Sequence, residues 1–148
     1  MLTCYDIANY FLAQVCEEIG DLMSNLRLQK LVYYAQGLRL VLTGRPLFVE
    51  DIVAWMHGPV VPKLYRAYEE YGVQAIPADN SFDPNVIEPG IRVFLNEVYT
   101  VFGQFSASRL MELAHSDQCC KDAYPNNIIT HKAMQEALWV LFPTYPIL

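Results

Sequence analysis

The sequence has no hydrophobic run approaching the roughly 20 residues that cross a bilayer, so a membrane-spanning helix is excluded. Glycine-rich phosphate loops are missing too. The seven glycines fall at predicted helix ends and turns, apart from Gly37 inside a predicted helix. Basic residues are few and nowhere clustered: 10 Lys and Arg stand against 16 Asp and Glu, for a net charge of −6. Duplex-binding proteins carry a basic face, so nucleic acid is not an expected partner, and a basic partner is better matched. No Cys-x-x-Cys pair occurs among Cys4, Cys16, Cys119 and Cys120, and His57, His115 and His131 are scattered. Neither a structural metal site nor a cofactor is therefore expected. The opening Met1-Leu2-Thr3-Cys4 has no basic region and no long apolar stretch. It reads as lacking a secretory leader, which places the chain in the cytosol with reduced thiols.

What the sequence does have is apolar and aromatic side chains. Hydrophobic residues make up 53% and charged residues only 18%, below the ~25% of a typical domain. With 10 Tyr, 7 Phe and 2 Trp, a chain of 148 residues cannot hide every ring, and some are expected on a contact surface. The length fits one domain, residues 1–148. The spacing predicts a mainly α fold, a compact single-domain bundle of about six helices with a short extended segment near residues 51–56.

Thr3 and Asp6 form a capping-box-like start, followed by Ile7, Phe11 and Val15 at helical spacing, with Gly20 as the stop. Asn25 is predicted to cap a second helix bearing the stripe Leu28, Leu31, Val32, Ala35, Leu38 and Leu42, stopped by Gly44-Arg45-Pro46. Pro62 opens a third helix ending at Gly72 and Pro89 a fourth ending at Gly103, with a long surface loop over residues 73–88 between them. Ser106 caps a fifth with Leu110, Leu113 and Ala114, and residues 115–127 read as a loop or short helix. Thr130 caps the last, with Ile129 and Met134 at hydrophobic-staple spacing and Pro143 as its end.

Three groups of residues invite a functional reading. Cys119 or Cys120 with His57 or His115 would be the parts of a nucleophilic hydrolase, but no motif surrounds the thiols. Satisfied polar contacts or exposed thiols are the simpler expectation, and no enzyme is expected. Beside Gln29 and Lys30, either one of Tyr33 and Tyr34 is core and the other surface, or Lys30 and an exposed tyrosine form part of a groove. The stretch Trp55-Met56-His57-Gly58-Pro59-Val60 is the most distinctive. It reads as a folded corner, with Trp55 buried, His57 hydrogen-bonded and Gly58-Pro59 turning the chain. Its functional reading is the rigid wall of a binding cleft, which loses little entropy on binding. The residues alone favour the corner.

Asp6-Ile7-Ala8 and Asn25-Leu26-Arg27-Leu28-Gln29-Lys30-Leu31-Val32-Tyr33-Tyr34-Ala35-Gln36-Gly37 resemble the opening of the Panacea domain, a family of SocA-like antitoxins and phage-associated proteins. Gly44-Arg45-Pro46-Leu47-Phe48, Ala54-Trp55-Met56-His57-Gly58-Pro59-Val60 and Leu64-Tyr65 follow in the family's order. Where the family shows Thr-His-x-x-x-Pro-Trp, this chain has Ala114-His115-Ser116-Asp117-Gln118-Cys119-Cys120, and Ile129-Thr130 fits the closing element. The resemblance implies an antitoxin-type module that neutralises a toxin, usually encoded by a neighbouring gene, by direct contact in a type II system. The alternative is an adaptor that delivers a bound protein to a protease. It makes residues 55–60 the first candidate surface, and the partner-binding set is Lys30, Tyr34, Trp55, His57, Gly58, Pro59, Tyr65 and His115.

Overall fold

The first helix starts where its cap dictates. In the computed structural model, which describes residues 1–15, 22–142 and 144, the Thr3 hydroxyl accepts from the Asp6 amide and the Asp6 carboxylate accepts from the Thr3 amide. α1 (Cys4–Gln14) follows and turns extended at Val15, so it ends before the predicted stop. Gly20 and Cys16 lie outside the described residues, as does Pro143 at the other end of the chain.

α2 (Asn25–Thr43) is capped by Ser24 rather than Asn25, because the Ser24 hydroxyl reaches the Arg27 amide while Asn25 is drawn into the interior. Gly44 closes the helix at φ 74°, a left-handed conformation that glycine adopts without strain. The predicted one-sided stripe understates this helix. Leu28, Leu31, Val32, Ala35 and Leu38 are buried as expected, but so are Asn25, Arg27, Gln29, Lys30, Tyr33, Tyr34 and Gln36. Only the far end, at Leu42, is open. α2 is the central rod of the fold, packed by α1, by α3 (Pro62–Tyr68), α4 (Pro89–Phe102), α5 (Ala107–Ser116) and α7 (His131–Leu138), and by a small hairpin.

That hairpin is the predicted extended segment, with a second strand that the sequence disguised as a turn. β1 (Val53–Trp55) pairs antiparallel with β2 (Gly58–Val60) in the register Val53 with Val60 and Trp55 with Gly58. Met56 and His57 make the turn, and Gly58 sits at φ 99°. The outer edge of β1 is covered by the chain after α6 (Gln118–Ala123). Ala54 N donates to Asn127 O at 3.0 Å, Asn126 N to Ala54 O at 2.7 Å, and Ile129 N to Ile52 O at 2.8 Å. An edge paired in this way is closed to further strands.

Seven α-helices are present among the described residues, one more than expected, because the segment after α5 forms its own short helix. Ser106 and Thr130 cap α5 and α7 as their positions predict, each accepting from the amide three residues on. The loop over residues 73–88 is held down by buried Ile76 and Ile87 and by a 3₁₀ turn at Pro84–Val86.

Gly37 is where α7 crosses α2. A Cβ there would lie 2.2 Å from Leu138 Cδ1 and 3.8 Å from Met134 Cβ. Gly37→Val is expected to destabilise the protein by about 1–3 kcal/mol through overpacking. Gly37→Ala should cost less, since the end of Leu138 can move and alanine gains up to about 1 kcal/mol of helix propensity. Urea denaturation of the two variants measures this, and equal stability of wild type and the valine variant would contradict the crossing.

Candidate functional site

Seven polar side chains on one buried helix must find partners, because an unpaired buried donor or acceptor costs about 1–3 kcal/mol. On α2 most of those partners belong to the hairpin and the segments beside it. Gln36 clamps the approach: Leu47 N donates to its Oε1 at 2.7 Å and its Nε2 donates to Phe48 O at 2.8 Å. Lys30 Nζ donates to Pro59 O at 2.9 Å. Gln29 Oε1 accepts from Val61 N at 2.9 Å while its Nε2 donates to Asn25 Oδ1 at 3.0 Å, and Asn25 Nδ2 donates to Tyr65 O at 3.0 Å. Tyr33 and Tyr34 reach the other way. Both hydroxyls donate to Asp117 Oδ2, at 2.8 and 3.2 Å, and the Tyr34 ring stacks on Phe102 at 4.3 Å. One helix therefore holds the hairpin on one side and the α5–α6 junction on the other.

Between those two held walls runs a cleft of about 530 Å³. The hairpin turn contributes Met56, which is 70% exposed, and half-buried His57. α5 contributes Ser108, Met111, Glu112 and His115, whose spacing of three, four and seven puts them on one helix face. Lys121 of α6 stands at its edge. Gly58 lets the hairpin approach: its missing Cβ would lie 3.4 Å from Lys30 Cε and 3.7 Å from His115 N, so hairpin, α2 and α5 meet there.

The sequence-predicted set is thus divided by the fold. His57 and His115 come together across the cleft. Trp55 and Tyr65 pair edge to face at 5.4 Å, and Trp55 Nε1 donates to Asn126 Oδ1 at 3.0 Å. Trp55 is half-buried, not the buried corner residue anticipated, and His57 makes no hydrogen bond among the described residues. Lys30, Tyr34, Gly58 and Pro59 are buried. The expectation of an exposed tyrosine beside Lys30 is corrected: Tyr34 is 1% exposed and Lys30 0%, since both are spent on bonds inside the fold. Met56 fell in the candidate stretch 55–60 but not in the named set, and Met111 and Lys121 were missed, although the spacing of α5 from Ser108 to His115 was there to be read.

The electrostatics suit a scaffold better than a nucleophile. Burial pushes the thiols of Cys119 and Cys120 up to about 11 and that of Cys4 up to about 12. Cys119 and Cys120 are buried, not exposed, and Cys119 Sγ lies 3.2 Å from the Tyr33 hydroxyl. No cysteine among the described residues is hydrogen-bonded to a histidine, so the pairing that a Cys/His hydrolase requires is absent there. No group of three or more His, Cys, Asp or Glu able to hold a metal is found among the described residues, nor any helix long and apolar enough to cross a membrane. Burial also lowers the Lys30 ammonium to about 7 and raises Asp117 to about 6 against the two tyrosine bonds that lower it.

Three comparisons bear on this geometry. The family model described as "Antitoxin SocA-like, Panacea domain" matches residues 28–120, a span that contains both cleft walls. The curated protein "Antitoxin SocA" of Caulobacter vibrioides (strain NA1000 / CB15N) is 36% identical over 104 residues, 64% of this chain and 55% of that protein. The chain thus spans about half the length of this relative. No solved structure matches this chain significantly.

Two titrations test the scaffold. With a native value near 7 against an ordinary 10.5, Lys30 binds its proton more readily in the unfolded chain, so its contribution rises with pH between those values. The stability difference of wild type over Lys30→Met is expected to grow across that window, at up to ~1.4 kcal/mol per pH unit. A difference flat from pH 7 to 10 would refute the burial of a titrating ammonium. Asp117 has the opposite slope: raised from 3.8 to about 6, it loses stability as pH climbs between them. Asp117→Asn keeps an acceptor for both hydroxyls, and urea melts of this variant should lack that fall.

Proposed function

We propose that this chain, which belongs to the Panacea-domain family of SocA-like antitoxins, is an antitoxin that neutralises a toxin by binding it at the cleft between the hairpin turn and α5. The observation that carries the reading is the cleft itself. Both of its walls, the hairpin turn and α5, lie within the family-matched span; it is walled by exposed Met56 and by Met111, and is held open by hydrogen bonds from a single buried helix. A surface preorganised in this way loses little conformational entropy when it binds. Trp55 and Tyr65, paired beside the turn, extend the apolar rim, while Lys30, Tyr34, Gly58 and Pro59 act from beneath by fixing its shape. Binding is of the direct-contact, type II kind: the occupied toxin surface is blocked, with a few anchors supplying most of the energy. No step of this requires bond chemistry, a cofactor or a metal.

Co-expression with the neighbouring gene tests the proposal. That gene should be toxic alone and harmless with the wild-type chain. Met111→Glu and His57→Asp should each weaken neutralisation by about tenfold or more, a loss of about 1.4 kcal/mol in binding. Val93→Glu, on the exposed face of α4, should neutralise normally. A harmless neighbour, or full neutralisation by both cleft variants, refutes the cleft as the toxin surface. Toxin half-life separates two forms of the activity: if unchanged, the toxin is occluded, and if shortened only while cellular proteases are present, the chain is an adaptor.

A further inference from the structure

The cleft differs in charge from the rest of the molecule. Over the whole chain acidic residues outnumber basic ones by 16 to 10. Among the described residues, the cleft presents the ammonium of Lys121, the imidazoles of His57 and His115, and one carboxylate, Glu112. That carboxylate is already paired, with Arg109 Nη1 at 3.0 Å. The carbonyl end of α5 adds partial negative charge near His115, about half an elementary charge, which the full charge on Lys121 outweighs. Its walls are equally particular. Met56 and Met111 are unbranched and polarisable, so they close on apolar side chains of various shapes. The depression, of about 530 Å³, is open to solvent along much of its length, so it can take a side chain from a segment laid across it.

We infer that the cleft receives a short linear segment of the partner in which one bulky apolar side chain enters between Met56 and Met111 and flanking carboxylates face Lys121 and the two imidazoles. This rests on the reading of the cleft as the partner surface and adds the chemistry of what fills it. An acidic segment is repelled by most of this surface, but beyond about 8 Å that repulsion is screened at physiological salt. The contrast specifies register: the segment is favoured in the cleft and disfavoured beside it. A basic segment with the same apolar side chain would meet the opposite field.

The test uses the full chain and two short fluorescent peptides, each with a central leucine-tryptophan, one flanked by glutamates and the other by lysines. Anisotropy measures affinity, and NMR follows the imidazole signals of His57 and His115. The glutamate peptide is expected to bind about tenfold tighter or more and to shift both imidazoles. Lys121→Glu, at an exposed position that leaves the core untouched, should reverse the preference, with circular dichroism confirming an unchanged fold. Equal or better binding of the lysine peptide, or no imidazole shift with either, overturns the inference. The two readings fail separately: if cleft variants abolish neutralisation while the lysine peptide is preferred, the cleft stands and the acidic occupant falls.

Discussion

The fold depends on the burial of a polar helix. A helix enclosed on all sides is ordinarily apolar throughout, because every buried donor and acceptor must be matched. α2 is enclosed and yet carries Asn25, Gln29, Lys30, Tyr33, Tyr34 and Gln36 into the interior. Their partners are mostly backbone groups of the hairpin and the segments flanking it: residues 47 and 48, the carbonyl of Pro59, the amide of Val61, the carbonyl of Tyr65. These bonds satisfy both sides at once. They are also directional, so they set where the hairpin lies, whereas apolar packing would tolerate several positions.

The cleft is a consequence of that arrangement. The Lys30 bond to Pro59 holds β2, and the Tyr33 and Tyr34 bonds to Asp117 hold the end of α5, so the distance between hairpin turn and helix is governed from below. Taking a lysine wholly and a carboxylate partly out of water is costly in itself. Their bonds fix where the hairpin and the end of α5 sit. The cleft's surface then includes two methionines and two imidazoles on fixed supports.

Much of the helical framework was legible because capping is local. Thr3 with Asp6, Ser106 and Thr130 each satisfy an amide three residues away, and all three cap where the sequence places them. Ser24 displaced Asn25 by one position because both residue types cap, and tertiary burial of Asn25 against Tyr65 decided between them. The second strand was disguised by its composition, Gly58-Pro59-Val60, which propensity assigns to a turn. It is a strand because β1 supplies a partner and Lys30 a support for the proline carbonyl. Tyr34 could not be placed by periodicity, since Phe102 and Asp117, on which its ring and hydroxyl rest, come from distant segments.

By itself, then, the sequence determined the mainly α class, most helix starts, the extended piece near residue 53, and the resemblance that marks the family. These are settled by short-range hydrogen bonding and by motifs contiguous in the chain. Only the tertiary structure decided that Lys30 and Tyr34 support the site from within, that His57 and His115 face one cleft, and that Met56, Met111 and Lys121 complete it. Burial and proximity arise from contacts between residues far apart in the chain, as between Gln135 and Leu40 at a separation of 95, and no local pattern encodes which ones will meet.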